Sequence, residues 1–253
     1  MDGRVAIVTG AGRGIGRATA LALAERGARV MAVARTAEEL MALARERRGI
    51  EWIAISLATP EACKQVVETT RRRLGPIEIL VNNAGVGSAD DGTIMDQGLD
   101  AFRATMAVNL EAPLHLTQEA SRDMRERGWG RIVMVSSTSG QVGAPRNVAY
   151  TTSKHALLGL MRATAQDVGA FGATCNAVLP GWVRTAMADR SAERTATREE
   201  ATVEEVWAAR DALYPRGRAL DPVEVASVIA FLCSDAASGV NGEPITVAAG
   251  AAE

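Results

Sequence analysis

Tyr150 and Lys154 stand at positions i and i+4, which on a helix puts both side chains on one face, one turn apart. A phenol in water titrates at about pH 10. A neighbouring ammonium stabilises the phenolate and lowers that value. Such a phenol can give a proton to a carbonyl oxygen during reduction and take one during alcohol oxidation. Of the two tyrosines in the chain, Tyr150 is the one with a lysine at this spacing. Ser137 follows an apolar run that reads as a strand, and its hydroxyl can donate to an oxygen on which charge develops. Ser136 is expected on the opposite face of that strand. Asn109 interrupts the apolar helical stretch 106–110, where asparagine is a poor interior residue, so a specific polar task is expected for it.

A second constellation is Thr9-Gly10-Ala11-Gly12-Arg13-Gly14-Ile15-Gly16, between a strand-like run and a helical pattern. Glycines allow a tight turn and a close backbone approach to a pyrophosphate, and the helix N-terminus supplies unpaired N–H groups. The spacing fits T-G-x-x-x-G-x-G. It fits neither G-x-G-x-x-G nor a P-loop, which needs a following Lys-Ser/Thr.

The elements that must position these residues are visible in the rhythm of the chain. Strand-like runs at 5–9, 29–34, 52–56, 79–82, 132–136, 174–179 and 245–247 alternate with helical patterns, including one at 149–159. Start signals support the helices. Thr36-x-x-Glu39, Thr197-x-x-Glu200 and Thr202-x-x-Glu205 read as capping boxes, Thr59-Pro60 as a cap followed by proline, and Asp221-Pro222-x-Glu224 as both. This order predicts an α/β fold: one doubly wound, Rossmann-type parallel sheet of about seven strands with helices on both faces. The rhythm spans 1–253 without a linker, so a single domain is expected. A polar, helical excursion at about 186–216 lies after the sixth strand, at the ligand-binding edge, and reads as a substrate lid.

Composition excludes several other classes. The 253 residues are 47% hydrophobic and 23% charged, with 28 basic against 30 acidic side chains. That balance gives no electrostatic case for nucleic acid or an anionic membrane, and no apolar run approaches a spanning helix. The clusters Arg45/Arg47/Arg48 and Arg71/Arg72/Arg73 read as helix C-terminal charges that complement the dipole. Two histidines, His115 and His155, cannot build a three-histidine metal site, and both read as structural. Cys63, Cys175 and Cys233 lack C-x-x-C spacing and read as small buried residues, with no metal expected. No signal-peptide pattern opens the chain, and a cytoplasmic location is the expectation.

Taken with Asn82-Asn83-Ala84-Gly85, Ser137, Tyr150-x-x-x-Lys154 and Pro180-Gly181, the glycine loop resembles that of the short-chain dehydrogenase/reductase family, in the family's motif order and over almost the whole chain. The resemblance implies a nicotinamide cofactor and hydride transfer between a ketone and a secondary alcohol, with Asn109, Ser137, Tyr150 and Lys154 as the catalytic set. It implies that Asn109 holds a water linking the lysine to solvent. It also implies cofactor contacts by Gly10, Arg13, Gly14, Ile15, Gly16, Arg35, Ser56, Leu57, Asn83, Ala84, Gly85, Tyr150, Lys154, Pro180, Gly181, Val183 and Thr185. Ser56 stands where the family often has an aspartate, and Val247-Ala248-Ala249-Gly250 departs from the frequent V-D-G-G.

An acid at the end of the second strand would bond the ribose 2′-hydroxyl of NAD, whereas an arginine accommodates the 2′-phosphate of NADP. Here Ala34 takes the acidic position, followed by Arg35, with Arg13 in reach from the glycine loop. Two guanidiniums favour NADP(H); NAD(H) remains the alternative, and Glu39 reads as the capping partner of Thr36. The pocket walls are expected at 86–96, 138–148 and 182–216. They combine Val142, Trp182 and Met187 with Asp90 and Asp91, which suits a neutral small-molecule carbonyl or alcohol. The pattern is similar to that of 3-oxoacyl-carrier-protein reductases, but Gly128 and Phe171 replace their two carrier-docking arginines, with Arg127 beside the first. The family implies a homotetramer or homodimer built on the helix of Tyr150, and the apolar stretch 155–161 is compatible with it. The rival readings are an NAD-dependent secondary-alcohol dehydrogenase and a redox-inactive, nucleotide-binding regulatory protein on the same fold.

Overall fold

A computed structural model describes residues 1, 3–87 and 92–251 of the chain. Asp90 and Asp91, expected on a pocket wall, lie outside the described residues. Seven strands form one wholly parallel sheet in the order β3-β2-β1-β4-β5-β6-β7. They are β1 Val5–Thr9, β2 Arg29–Ala34, β3 Ile50–Ala54, β4 Ile79–Asn82, β5 Gly130–Val135, β6 Ala173–Pro180 and β7 Pro244–Val247. The central strands are buried on both faces, which is why they are continuous apolar runs rather than alternating ones.

Alternation instead decides which helical layer each side chain meets. Ala6 and Val8 of β1 pack with Leu23 of α1 (Gly14–Glu25), Leu40 of α2 (Ala37–Glu46) and Ile229 of α9 (Pro222–Leu232). Val5 and Ile7 face the other layer, with Val66 of α3 (Pro60–Arg73), Leu116 of α5 (Ala112–Arg127) and Leu157 of α6 (Val148–Gly169). A helix α4 (Leu99–Met106) leads through a π-helical turn, Ala107–Glu111, into α5. Strand order reverses at the β1/β4 pair, so the loops after β1, β4, β5 and β6 meet at one carboxyl edge.

Segment 186–216 folds as α7 (Ala186–Glu199) and α8 (Val203–Ala212). Ala188, Ala192 and Ala196 of α7 and Val206 and Trp207 of α8 join the α1 layer. The Thr202/Glu205 and Asp221/Glu224 boxes form, and Thr59 caps α3 by accepting from Ala62 N–H at 3.3 Å. Two expected boxes do not. Thr197 lies inside α7 and donates back to Glu193 O at 3.0 Å, while Glu200 ends that helix in a left-handed conformation. Thr36 precedes α2 without a side-chain cap, and Glu39, the expected reciprocal partner, is turned towards the glycine loop. The third strand also begins and ends two residues before 52–56, since Ile50 is the partner of Val30.

Candidate active site

The site is built at the carboxyl edge by loops tied to one another through buried polar groups. Thr9, at the end of β1, accepts from the N–H groups of Asn83 and Ala84, both at 2.9 Å. The Asn83 side chain returns the bond, donating to Thr9 O at 2.8 Å. The glycine loop and the Asn83-Ala84-Gly85 loop are therefore one unit. Gly10 is in the left-handed region at φ 67°, and a Cβ there would lie 2.7 Å from Asn83 Nδ2. A Cβ on Gly16 would collide with Gly10 O and the same amide. Thr9 is a functional residue missed among the expected contacts; its signal is the threonine that opens the glycine motif.

On the neighbouring loop, Gly85 approaches both Asn109 and Lys154: a Cβ on it would stand 3.5 Å from Asn109 Oδ1 and 3.6 Å from Lys154 Nζ. Asn109 is buried in the π-helical turn. It accepts from Val86 N–H at 2.8 Å and donates to Val86 O at 2.9 Å and to Ser153 Oγ at 3.0 Å. Its side chain thus holds the loop after Gly85 against α6.

Lys154 is 4% exposed and donates to Val135 O at 2.8 Å. Burial pulls the ammonium down from 10.5 to about 8. Its nitrogen is 5.5 Å from the centre of the Tyr150 ring. The Ser137 hydroxyl lies near enough to the Tyr150 phenol to favour its ionised form. The ammonium together with the positive nicotinamide ring of an oxidised complex is expected to lower the phenol. In the structure burial dominates and holds Tyr150 above its ordinary value, offset in part by the Ser137 hydroxyl. The Lys154 nitrogen is turned to the Val135 carbonyl rather than to the phenol oxygen. Ser137 leaves β5 and starts a single 3-10 turn, accepting from Ser139 N–H at 3.1 Å. Ser136 faces away, its hydroxyl donating to Lys154 O at 3.0 Å. His155 is exposed beside Thr151 O, off this face.

The residues present fit a dinucleotide. α1 begins at Gly14 with no side-chain cap from Arg13 and no carboxylate in its first turn, which leaves its leading N–H groups, including those of Ile15 and Gly16, for an external anion. Gly14, at φ 55°, faces the Thr185 methyl across a narrow gap, so the loop after β6 closes on the glycine loop. Val183 pairs with Leu220 in one parallel bridge formed by its neighbours, Trp182 O and Arg184 N–H. Its own N–H and C=O, in a residue 5% exposed, have no hydrogen-bond partner among the described residues. They present an acceptor and a donor of the kind a carboxamide needs.

The remaining expected contacts sort by exposure. Arg35 is exposed at the end of β2 and makes no ion pair among the described residues, whereas Arg13 is 3.6 Å from Glu39. Ser56 is exposed just beyond β3, and the Leu57 side chain is in the core, leaving its backbone to the site edge. Pro180 ends β6, and Gly181 donates to Val247 O at 3.1 Å. Ala249 holds a left-handed φ of 47° where a glycine would be unstrained. Val142 and Met187 are exposed apolar residues, and Trp182 is half-buried. Leu157, Leu158 and Met161 of α6 are core residues of this chain, which accounts for that apolar stretch without a partner. The three cysteines are free and buried. Among the described residues no His/Cys/Asp/Glu cluster could hold a metal, and no helix is long and apolar enough to cross a membrane.

Comparison with known proteins agrees with this frame. The family model described as short chain dehydrogenase matches residues 4–196. Versicolorin reductase 1 of Aspergillus parasiticus is 39% identical, over 99% of this chain and 97% of its own. A 3-oxoacyl-acyl-carrier-protein reductase of Vibrio cholerae is 34% identical, over 99% and 98%. The solved structure of an actinorhodin polyketide ketoreductase with NADPH superposes with a TM-score of 0.92 at 33% identity, over 98% of this chain and 96% of that one. The chain belongs to the short-chain dehydrogenase family of nicotinamide-dependent oxidoreductases.

Proposed function

We propose that the chain is an NADP(H)-dependent ketoreductase that interconverts a small ketone and its secondary alcohol, with Tyr150 as general acid and base. The observation that carries this reading is that Ser137, Tyr150 and Lys154 meet at the carboxyl edge of the sheet, with the Lys154 nitrogen 5.5 Å from the centre of the Tyr150 ring. When bound, the nicotinamide supplies or accepts the hydride. Ser137 holds the substrate oxygen by hydrogen bonding, and Tyr150 delivers a proton to that oxygen or removes one from it. Lys154 provides positive charge under the phenol, and Asn109 fixes the loop that packs against Lys154.

NADP(H) is favoured by Arg13 and Arg35 together with Ala34 at the position an NAD-type acid would hold. We read 1–253 as one domain and 186–216 as the segment covering the substrate. A free ketone suits the surface better than one on a carrier protein. Gly128 is required in the left-handed C-cap of α5 at φ 64°, Phe171 packs on the core, and neither offers a docking cation. Buried free thiols suit a cytoplasmic protein, and a homotetramer or homodimer is the assembly we propose. The intact Ser/Tyr/Lys set speaks against a redox-inactive regulator. The test is a panel of neutral ketones and secondary alcohols with all four nicotinamide forms. NADPH oxidation by a ketone, with kcat/KM above that for NADH, supports the reading. Turnover confined to NAD+ and alcohols replaces it by the dehydrogenase alternative, and no turnover with any pair contradicts both.

A further inference from the structure

We propose that Glu39 supplies, from the first turn of α2, the carboxylate that the end of β2 lacks, and so opposes Arg13 and Arg35 in the choice between NAD(H) and NADP(H). This rests on the reading of those two arginines as the 2′-phosphate site. Glu39 does not reach back to cap Thr36. One of its carboxylate oxygens lies 3.6 Å from Arg13 Nη1, and the other lies directly over Gly12. A Cβ built on Gly12 would stand 3.2 Å from the Glu39 Cβ and 3.4 Å from the Ala34 Cβ. Glu39 and Ala34 therefore meet at the same glycine, and the carboxylate occupies the space beside the residue where an acid on β2 would project. Any side chain at position 12 would displace it.

The charges around this point leave the competition open. Arg17 is engaged by Glu46, and Glu38 is exposed on the outer side of α2. The Arg13–Glu39 pair is solvent-exposed, at 50% and 33%, so it holds neither partner tightly. A ribose 2′-hydroxyl can donate to the Glu39 carboxylate, as it would to an acid on β2. A 2′-phosphate would instead need Arg13 released from Glu39 and would lie beside a like charge. The chain is thus built to accept both dinucleotides, with Glu39 narrowing the preference that the arginines create.

The test is calorimetric titration of the full chain with NADP+ and with NAD+, in the absence of substrate. Glu39→Gln keeps the shape and removes the charge. The expected result is an increase of about tenfold in the NADP+/NAD+ affinity ratio, with NADP+ bound more tightly and NAD+ more weakly. A ratio unchanged or lowered in Glu39→Gln overturns the proposal. The double variant Arg13→Ala/Arg35→Ala separates the two levels. Loss of NADP+ affinity in it, with an unmoved ratio in Glu39→Gln, removes the role of Glu39 alone. NADP+ affinity retained in the double variant overturns the assignment of the phosphate site and the proposal with it.

Discussion

The Tyr214 hydroxyl accepts from the Trp182 N–H at 2.5 Å and donates to the Trp182 carbonyl at 3.3 Å, so one phenol fixes both backbone polar groups of the residue that leads from β6 into Val183 and Thr185. The same hydroxyl explains the preceding glycine, since a Cβ on Gly181 would lie 2.6 Å from it. Arg210 adds to the arrangement. Its guanidinium is 3.6 Å from the centre of the Trp182 ring and donates to Ala188 O and Ser191 Oγ at 3.0 and 3.1 Å. Burial lowers it to about 10, which leaves it charged at neutral pH. Tyr214→Phe strands the Trp182 N–H. We expect a loss of about 1–3 kcal/mol in chemical denaturation and weaker nicotinamide dinucleotide binding, because the segment facing Gly14 loses its anchor. Unchanged stability and binding would show that the phenol merely fills space.

Acid sensitivity should arise at α9. Bonds from Arg216 and Arg218 and the Asp221 N–H hold Glu224 at about 2, below its ordinary 4.5. A depressed carboxyl stabilises the fold above its unfolded value and loses that contribution as pH falls from about 4.5 towards 2. The group is partly exposed, so screening reduces the gain to about 1 kcal/mol. Glu224→Gln should lower stability at pH 7 by that amount and flatten its decline in this acid window, as read by urea titrations across pH.

Lys154 predicts an alkaline limb. Its ammonium, lowered to about 8 by burial, is charged below that pH and neutral above it. The proposed kcat/KM for ketone reduction should therefore fall as pH rises through about 8. Lys154→Arg keeps its proton throughout this range. Its rate should be lower because the guanidinium fits the Val135 contact poorly, yet its alkaline limb should move upward. A limb that stays in place in Lys154→Arg would assign it to another group.

Much of this was legible in the residues. Apolar runs mark the central strands because both faces of the sheet are covered there, while the edge strands β3 and β7 are only partly buried. Tyr150 and Lys154 are one turn apart on a helix, so local geometry suffices to pair them. What escaped depends on contacts between distant segments. The spacing Thr36-x-x-Glu39 is the same whether Glu39 caps its own helix or crosses to Arg13, and only the packing of α2 against the glycine loop decides. Thr197 and Glu200 match a cap motif, but a helix already running from Ala186 occupies the backbone that a new cap would need. The Trp182–Arg210–Tyr214 cluster joins the loop after β6 to the end of α8 and the turn beyond it, with no local signature. That burial raises the phenol was likewise not legible from spacing, since burial and the direction of the Lys154 nitrogen are tertiary facts.

The central claim is that the Tyr150 phenol transfers the proton. The most direct measurement is turnover of Tyr150→Phe beside its affinity for NADPH, on a ketone accepted by the wild type. The account predicts near-native NADPH binding with turnover reduced by at least about a hundredfold; turnover close to wild type with NADPH bound normally would contradict it.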